Sequence, residues 1–141
     1  MITSSDSVLI MIVQDLYPAG IKLEKFSADN IITNESRQSA ETRIGVDGKI
    51  AAGWIPAIKT VTINLEADSP SLEFIENIIA KQDLNKKLFE ISLDITIPSV
   101  SKVYSFKKGY IHDVSDMSNL ANVLDPREFT IHFESVEIQA I

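Results

Sequence analysis

The chain has 141 residues, 45% of them apolar and 23% charged, which suits one globular domain and leaves no room for a second core. A formal charge of −7 and a pI near 4.7 set a Coulomb cost on approach to a nucleic-acid backbone; the tightest basic clusters, Lys86-Lys87 and Lys107-Lys108, are too short for a basic stripe. The absence of cysteine excludes a disulfide framework, thiolate metal sites and cysteine nucleophiles.

Met1 to Ser7 is polar and lacks the basic region of a signal peptide. The apolar run that follows, Val8 to Val13, has six residues, against the roughly 20 a membrane helix needs. The expectation is a protein that does not cross a membrane by a signal of its own. Val8 to Val13 reads as a strand buried on both faces. Tyr17-Pro18-Ala19-Gly20 reads as a turn, and Ile21 and Leu23, alternating with Lys22 and Glu24, as a half-buried strand. Asp29 to Ser39 is polar and irregular, with Ile31 and Ile32 as anchors.

Glu41 to Ala52 has the form of a long hairpin with Asp47-Gly48 at its centre, a pair suited to the positive φ values of a tight I′ turn. Its flanks carry Arg43, Ile44, Val46 and Ile50, with no evident core face, so this arm needs something else to dock on. Trp54, the lone tryptophan, either covers the edge of the core or anchors a partner subunit.

Ile58 to Glu66 is a strand with Val61, Ile63 and Leu65 on one side and Thr60, Thr62, Asn64 and Glu66 on the other. Ser69 as N-cap and Pro70 in the first turn open a helix within about Ser69 to Leu84, with Leu72, Ile75, Ile78 and Ile79 as its apolar stripe. Phe89 to Ile97 alternates again: Phe89, Ile91, Leu93, Ile95 and Ile97 face one way, Glu90, Ser92, Asp94 and Thr96 the other. Val103 to Ile111 is a mixed strand with Tyr104, Phe106 and Tyr110 in phase. A short helical turn is predicted at Ser118 to Leu124, ending before Pro126. Phe129, Ile131 and Phe133 alternate with Thr130, His132 and Glu134; the phase then slips to Val136 and Ile138, which predicts a bulge near Glu134-Ser135.

Chemistry is harder to find. His112 and His132 lack metal-ligand spacing, and His112-Asp113, as strand neighbours, point to opposite faces. Asp113, Asp116 and Asp125 surround a segment without the glycine and terminal glutamate of a calcium loop. No phosphate-binding, dinucleotide-binding or nucleophile-elbow motif occurs. The expectation is a non-enzymatic protein without catalytic, metal or cofactor site, mainly antiparallel β with one principal α-helix.

The segment "IKTVTINLEADSPSLEFIENI", Ile58 to Ile78, resembles the tail tube proteins of contractile-tailed bacteriophages and of related tailocin and type VI particles. In that family such a strand leads through a Ser-Pro-Ser element into the one helix. A long arm precedes it, here "ETRIGVDGKIAAGWIP", and a C-terminal strand like "EFTIHFESVEI" follows. The resemblance implies an antiparallel β-sandwich or half-barrel with one principal α-helix, in a structural virion protein of the tail, made in the host bacterial cytoplasm, whose rings, hexameric in form, stack into a tube. Its partners would be itself, a tail sheath and baseplate or terminator proteins, with DNA passing through without specific binding and no membrane contact. In that setting Thr60, Thr62, Asn64, Glu66, Glu90, Ser92, Asp94 and Thr96 would face the lumen. Arg43, Ile44, Val46, Asp47, Gly48, Ile50 and Trp54 would form the inter-subunit arm. Rival readings are a tailocin or type VI tube protein and a monomeric ligand-binding β-barrel of the lipocalin kind.

Overall fold

Alternation of apolar and polar residues along successive strands requires a sheet with one dry face, and the chain builds one. The computed structural model describes residues 7–24, 26, 31–120 and 122–141. Met1 to Asp6 and the Asp29-Asn30 start of the irregular segment, both read above from sequence, lie outside the described residues.

The strands are β1 (Val8–Val13), β2 (Tyr17–Lys22), β3 (Ile32–Asn34), β4 (Ala40–Ile44), β5 (Ile50–Trp54), β6 (Lys59–Leu65), β7 (Ile91–Ile97), β8 (Lys102–Val114) and β9 (Arg127–Ala140), with one helix, α1 (Leu72–Asn85). Seven strands form one sheet in the order β2-β1-β7-β8-β9-β6-β3, every neighbouring pair antiparallel; β4 and β5 pair only with each other.

The dry face carries Leu9, Met11 and Val13 of β1, Val61, Ile63 and Leu65 of β6, Ile91 and Leu93 of β7, and Phe129, Ile131 and Phe133 of β9, all essentially inaccessible. Leu72, Ile75 and Ile78 of α1 join them in the core. A helix is about 10 Å wide, whereas seven strands at about 4.8 Å spacing span nearly 30 Å. One helix can seal that width only if the sheet curls around it, so that side chains of distant strands also meet one another. The result is the half-barrel form of the expected fold. Its edges, β2 and β3, do not meet, which removes the closed ligand-binding barrel as a reading.

The helix is fastened on both sides at its N-terminal half. Ser69 Oγ donates to the Glu24 carbonyl, and Ser71 Oγ accepts from the Glu24 N–H at 2.8 Å, so the two serines hold both backbone groups of one residue beyond β2. Ser69 Oγ also accepts the Ser71 N–H at 3.3 Å, the capping role read from sequence, although the regular helix begins only at Leu72. Tyr17 packs edge-on against Phe74 with ring centres 5.3 Å apart and accepts a hydrogen bond from Asn77 Nδ2. On the other side, the Arg127 guanidinium bonds Glu76 and donates to the Ser115 carbonyl at 2.6 Å.

Several local expectations change. The β1–β2 turn is Gln14 to Leu16; Pro18 lies in β2, an edge strand, where its missing N–H costs no ladder bond. β1 is dry on one face only: Ile10 on the other is 37% exposed, because no second layer covers that side. Ser118 to Leu124 forms no helix; its apolar residues find no packing to offset the cost of nucleating one. The phase does slip at Glu134-Ser135, but β8 slips with it. Gly109 pairs with Phe133, Lys107 with Ser135 and Phe106 with Val136, so the β8–β9 register is continuous there. The irregularity lies between β8 and β7, at Lys108 (φ 53°), and it turns Tyr110 out of phase with Phe106.

Gly109 marks the tightest approach in the sheet: a Cβ there would stand 2.3 Å from the Phe133 ring. Gly109→Ala is expected to lower stability by about 1–3 kcal/mol, as overpacking of a filled core does. Urea unfolding checks this; the midpoint should fall at unchanged slope.

Candidate functional site: a helix-free polar face and an unpartnered hairpin

Residues that alternate with the core must point to the sheet's other face. Thr60, Thr62 and Asn64 of β6 and Ser92, Asp94 and Thr96 of β7 therefore share the face opposite α1. They do not form one cluster. β8 and β9 separate the two strands, putting the two groups three strand spacings, about 14 Å, apart. Glu66 and Glu90 fall one residue outside β6 and β7, and both are half-buried. Asn64 is nearly buried, beside the chain at Ile31, whose carbonyl accepts its N–H at 3.1 Å.

The middle of this face is supplied by β8 and β9. Register places Thr62 beside Thr130, their hydroxyls 3.1 Å apart, Thr60 beside His132, and His132 beside Tyr110. Asp94 lies between Ile10 of β1 and Ser105 of β8, and one of its carboxylate oxygens is buried with no hydrogen-bond partner. The face is not uniformly polar. Val8, Ile10 and Ile12 run along it beside Thr96, Asp94 and Ser92 as an apolar strip near the β2 edge.

The histidines come together, which sequence spacing did not reveal. The ladder shifts between Ile111 and Asp113, so His112 is the extra residue of a bulge and the alternation that separates it from Asp113 is lost. His112 Nδ1 lies 3.1 Å from Asp113 Oδ2, and its ring stacks on His132 at 4.0 Å between centres, 17° from parallel. The imidazoles and Asp113 are exposed or half-exposed on an open surface. Among the described residues, no group of three or more His, Asp or Glu side chains is placed to hold a metal ion.

The second feature is the arm. Gly48 N–H donates to the Gly45 carbonyl and Gly45 N–H to the Lys49 carbonyl, while Asp47 Oδ1 accepts the Lys49 N–H at 3.1 Å. This is a three-residue loop, Val46 to Gly48, in which only Gly48 (φ 79°) is left-handed; the expected I′ turn needs positive φ at Asp47 as well. That loop sets the register Ala40↔Trp54, Thr42↔Ala52 and Ile44↔Ile50, which collects those six residues on one face. The hairpin thus does have an apolar face, and nothing among the described residues covers it: Ile44, Ile50 and Trp54 are 73%, 70% and 74% exposed. Trp54 does not cover the core edge.

A face without intramolecular contacts adds nothing to folding. Ile44→Asp with Ile50→Asp is expected to change unfolding free energy by no more than about 0.5 kcal/mol, the usual range for surface positions. Thermal or urea unfolding of the dilute protein checks this; a loss of several kcal/mol would mean that the arm packs on its own chain.

The comparisons with known proteins agree with a tail origin. The family described as Tail fiber protein gp32 matches residues 1–137. No curated protein matches the chain. Among solved structures, it is similar to a chain of the anti-feeding prophage tube-terminating cap (11% identity, TM-score 0.59, covering 94% of this chain and 88% of that one). It is also similar to a chain of the 6-fold symmetrised anti-feeding prophage baseplate (7% identity, TM-score 0.56, covering 98% and 95%). A third likeness is to the sheath/tube terminator of the extracellular contractile injection system PVC in its extended state (14% identity, TM-score 0.55, covering 94% and 93%). At these identities the likeness is one of fold. The family match spans nearly the whole sequence: the chain belongs to the Tail fiber protein gp32 family.

Proposed function

We propose that the protein is a ring-forming subunit of a tail tube, hexameric in its closed form, whose stacked rings conduct DNA passively during ejection. The observation that carries this reading is the two-sided sheet: α1 seals one face, and the opposite face is left open and mostly hydrophilic. When curled sheets close into a ring, one face must turn inward. The helix-covered face cannot, so the open face becomes the channel wall. Closure would also bring a neighbouring sheet to the β2 and β3 edges, removing unpaired strand edges.

The channel chemistry follows from charge. Thr60, Thr62, Ser92 and Thr96 offer a hydrated wall, with the buried Asn64 on the same face behind it, and Glu66, Glu90 and Asp94 carry negative charge that repels phosphates, so DNA slides without a binding minimum. In this reading the arm, Arg43 to Trp54, joins subunits, and a sheath and baseplate or terminator proteins contact the outside. The fold shared with a chain of the PVC sheath-tube complex supports a place in such an assembly (14% identity, TM-score 0.54, covering 94% of this chain and 88% of that one). The same likenesses to injection particles support a second reading, a tube of a tailocin or type VI apparatus that carries protein cargo or none.

Electron microscopy of the concentrated protein tests the reading: stacked rings are expected, and a protein that stays monomeric refutes it. Glu66→Lys with Glu90→Lys, alone and with Asp94→Lys, should permit assembly. Ejection should slow by roughly tenfold or more at low salt, because neutralising six to ten phosphates changes affinity by about 10³–10⁵ over a modest salt range. Finding Glu66, Glu90 and Asp94 on the outer surface of an assembled particle would remove the lumen assignment.

A further inference from the structure

The chain exposes a second apolar surface, at the far end of the sheet from the arm. The turn after β6, the first turns of α1 and the loop after β8 enclose an open groove of about 420 Å³. Its lining includes Pro70, Leu72, Met117, Leu120 and Leu124, with Glu73 on its rim. Met117, Leu120 and Leu124 are exposed, and no described element packs over them. The volume lies within the roughly 300–1,000 Å³ of ordinary binding pockets, room for a large side chain such as an indole.

We infer that the apolar face of the hairpin of one copy seats in this groove of the next copy, head to tail. The inference rests on the self-assembly reading and says which two surfaces meet. Three observations favour a second copy over any other occupant.

The first is position. The hairpin leaves the sheet just before Lys59, where β6 begins, while the groove forms beyond Leu65, where β6 ends and Arg127 opens β9. Seven residues of strand at about 3.4 Å each put the two surfaces more than 20 Å apart at opposite ends of the same strands. Complementary patches at opposite ends make a heterologous contact, which repeats from copy to copy along the strand direction until it closes or extends.

The second is charge. The chain carries −7, so two copies repel in general. The hairpin, with Arg43 and Lys49 against Glu41 and Asp47, is neutral, and the groove rim is acidic through Asp68, Glu73 and Glu76 against Arg127. The hairpin is therefore a part of the chain that can approach this rim without net repulsion.

The third is area. Trp54 supplies roughly 150–250 Å² of contact, and the isoleucines extend it, yet one such seating falls short of the roughly 1,200 Å² of a stable interface. Each copy gives one hairpin and receives one, so the contact holds in an array and not in an isolated pair.

The absence of cysteine makes the test direct. Single variants Ile50→Cys and Leu120→Cys, mixed at assembling concentration and mildly oxidised, should give a disulfide-linked dimer on a non-reducing gel. The yield should exceed that of a control mixture of Ile50→Cys with Phe74→Cys by roughly tenfold, since only seated residues share a high effective concentration. Stacked rings with no excess Ile50–Leu120 link would overturn the inference and leave the tube reading intact. A failure to assemble at any concentration would overturn both. A link within one chain of the double variant Ile50→Cys/Leu120→Cys in dilute solution, or dominant Ile50–Ile50 dimers, would show that the hairpin seats elsewhere. Rescue of monomeric protein into particles only by another tail protein would mean that the groove belongs to that partner.

Discussion

Sealing one face of a wide sheet with one short helix is the constraint on which the remaining structure depends. Leu72, Ile75 and Ile78 are the only helical side chains in the buried core, yet core residues come from strands as far apart as β1 and β6. The sheet has to curl for this to work, and the curl is held because the helix is anchored toward both sides. The Ser69–Ser71 grip on Glu24 fixes it near β2, and Arg127 fixes it near β9. The guanidinium is itself buried, reaches a carboxylate and a carbonyl, and lies 5.4 Å from the centre of the Phe129 ring. Losing one partner of such a group costs more than the pair contributes, which makes this junction intolerant of change.

Everything with a claim to function is what this core leaves over. A curled sheet sealed on one side must present the other side to water or to a neighbour. The residues on that side alternate with core residues and so are placed as accurately as the core itself, although they contribute little to it. The hairpin shows the opposite economy. Its strands pair only with each other, its apolar face touches nothing, and its register comes from a three-residue loop. Two-stranded ribbons are marginal alone. The proposed assembly would give this face a partner, which a monomer would not.

The histidine stack and the Asp94 oxygen show how irregularities re-aim side chains within an otherwise regular ladder. The bulge at His112 brings its ring onto His132 and its Nδ1 to Asp113. The left-handed residue Lys108 moves Tyr110 to the open face.

The sequence by itself determined the elements whose period is set by burial. Val61, Ile63 and Leu65, Ile91, Leu93 and Ile95, and Phe129, Ile131 and Phe133 alternate because each strand has one dry face, and the stripe of α1 follows a 3.6-residue repeat because only one side of the helix meets the sheet. These patterns are local, so they were legible, as were the polar positions between them. Tertiary structure decided what depends on neighbours distant in the chain. It placed β8 and β9 between β6 and β7, and so divided the polar residues into two groups. It left the second face of β1 uncovered, left Ser118 to Leu124 without packing, and brought His112 to His132. It also decided that Ala40, Thr42, Ile44, Ile50, Ala52 and Trp54 share a face, because that depends on the register a loop imposes. Alternation within a strand is fixed by the backbone; which strands meet, and where the register shifts, is fixed by long-range pairing that no short window of sequence contains.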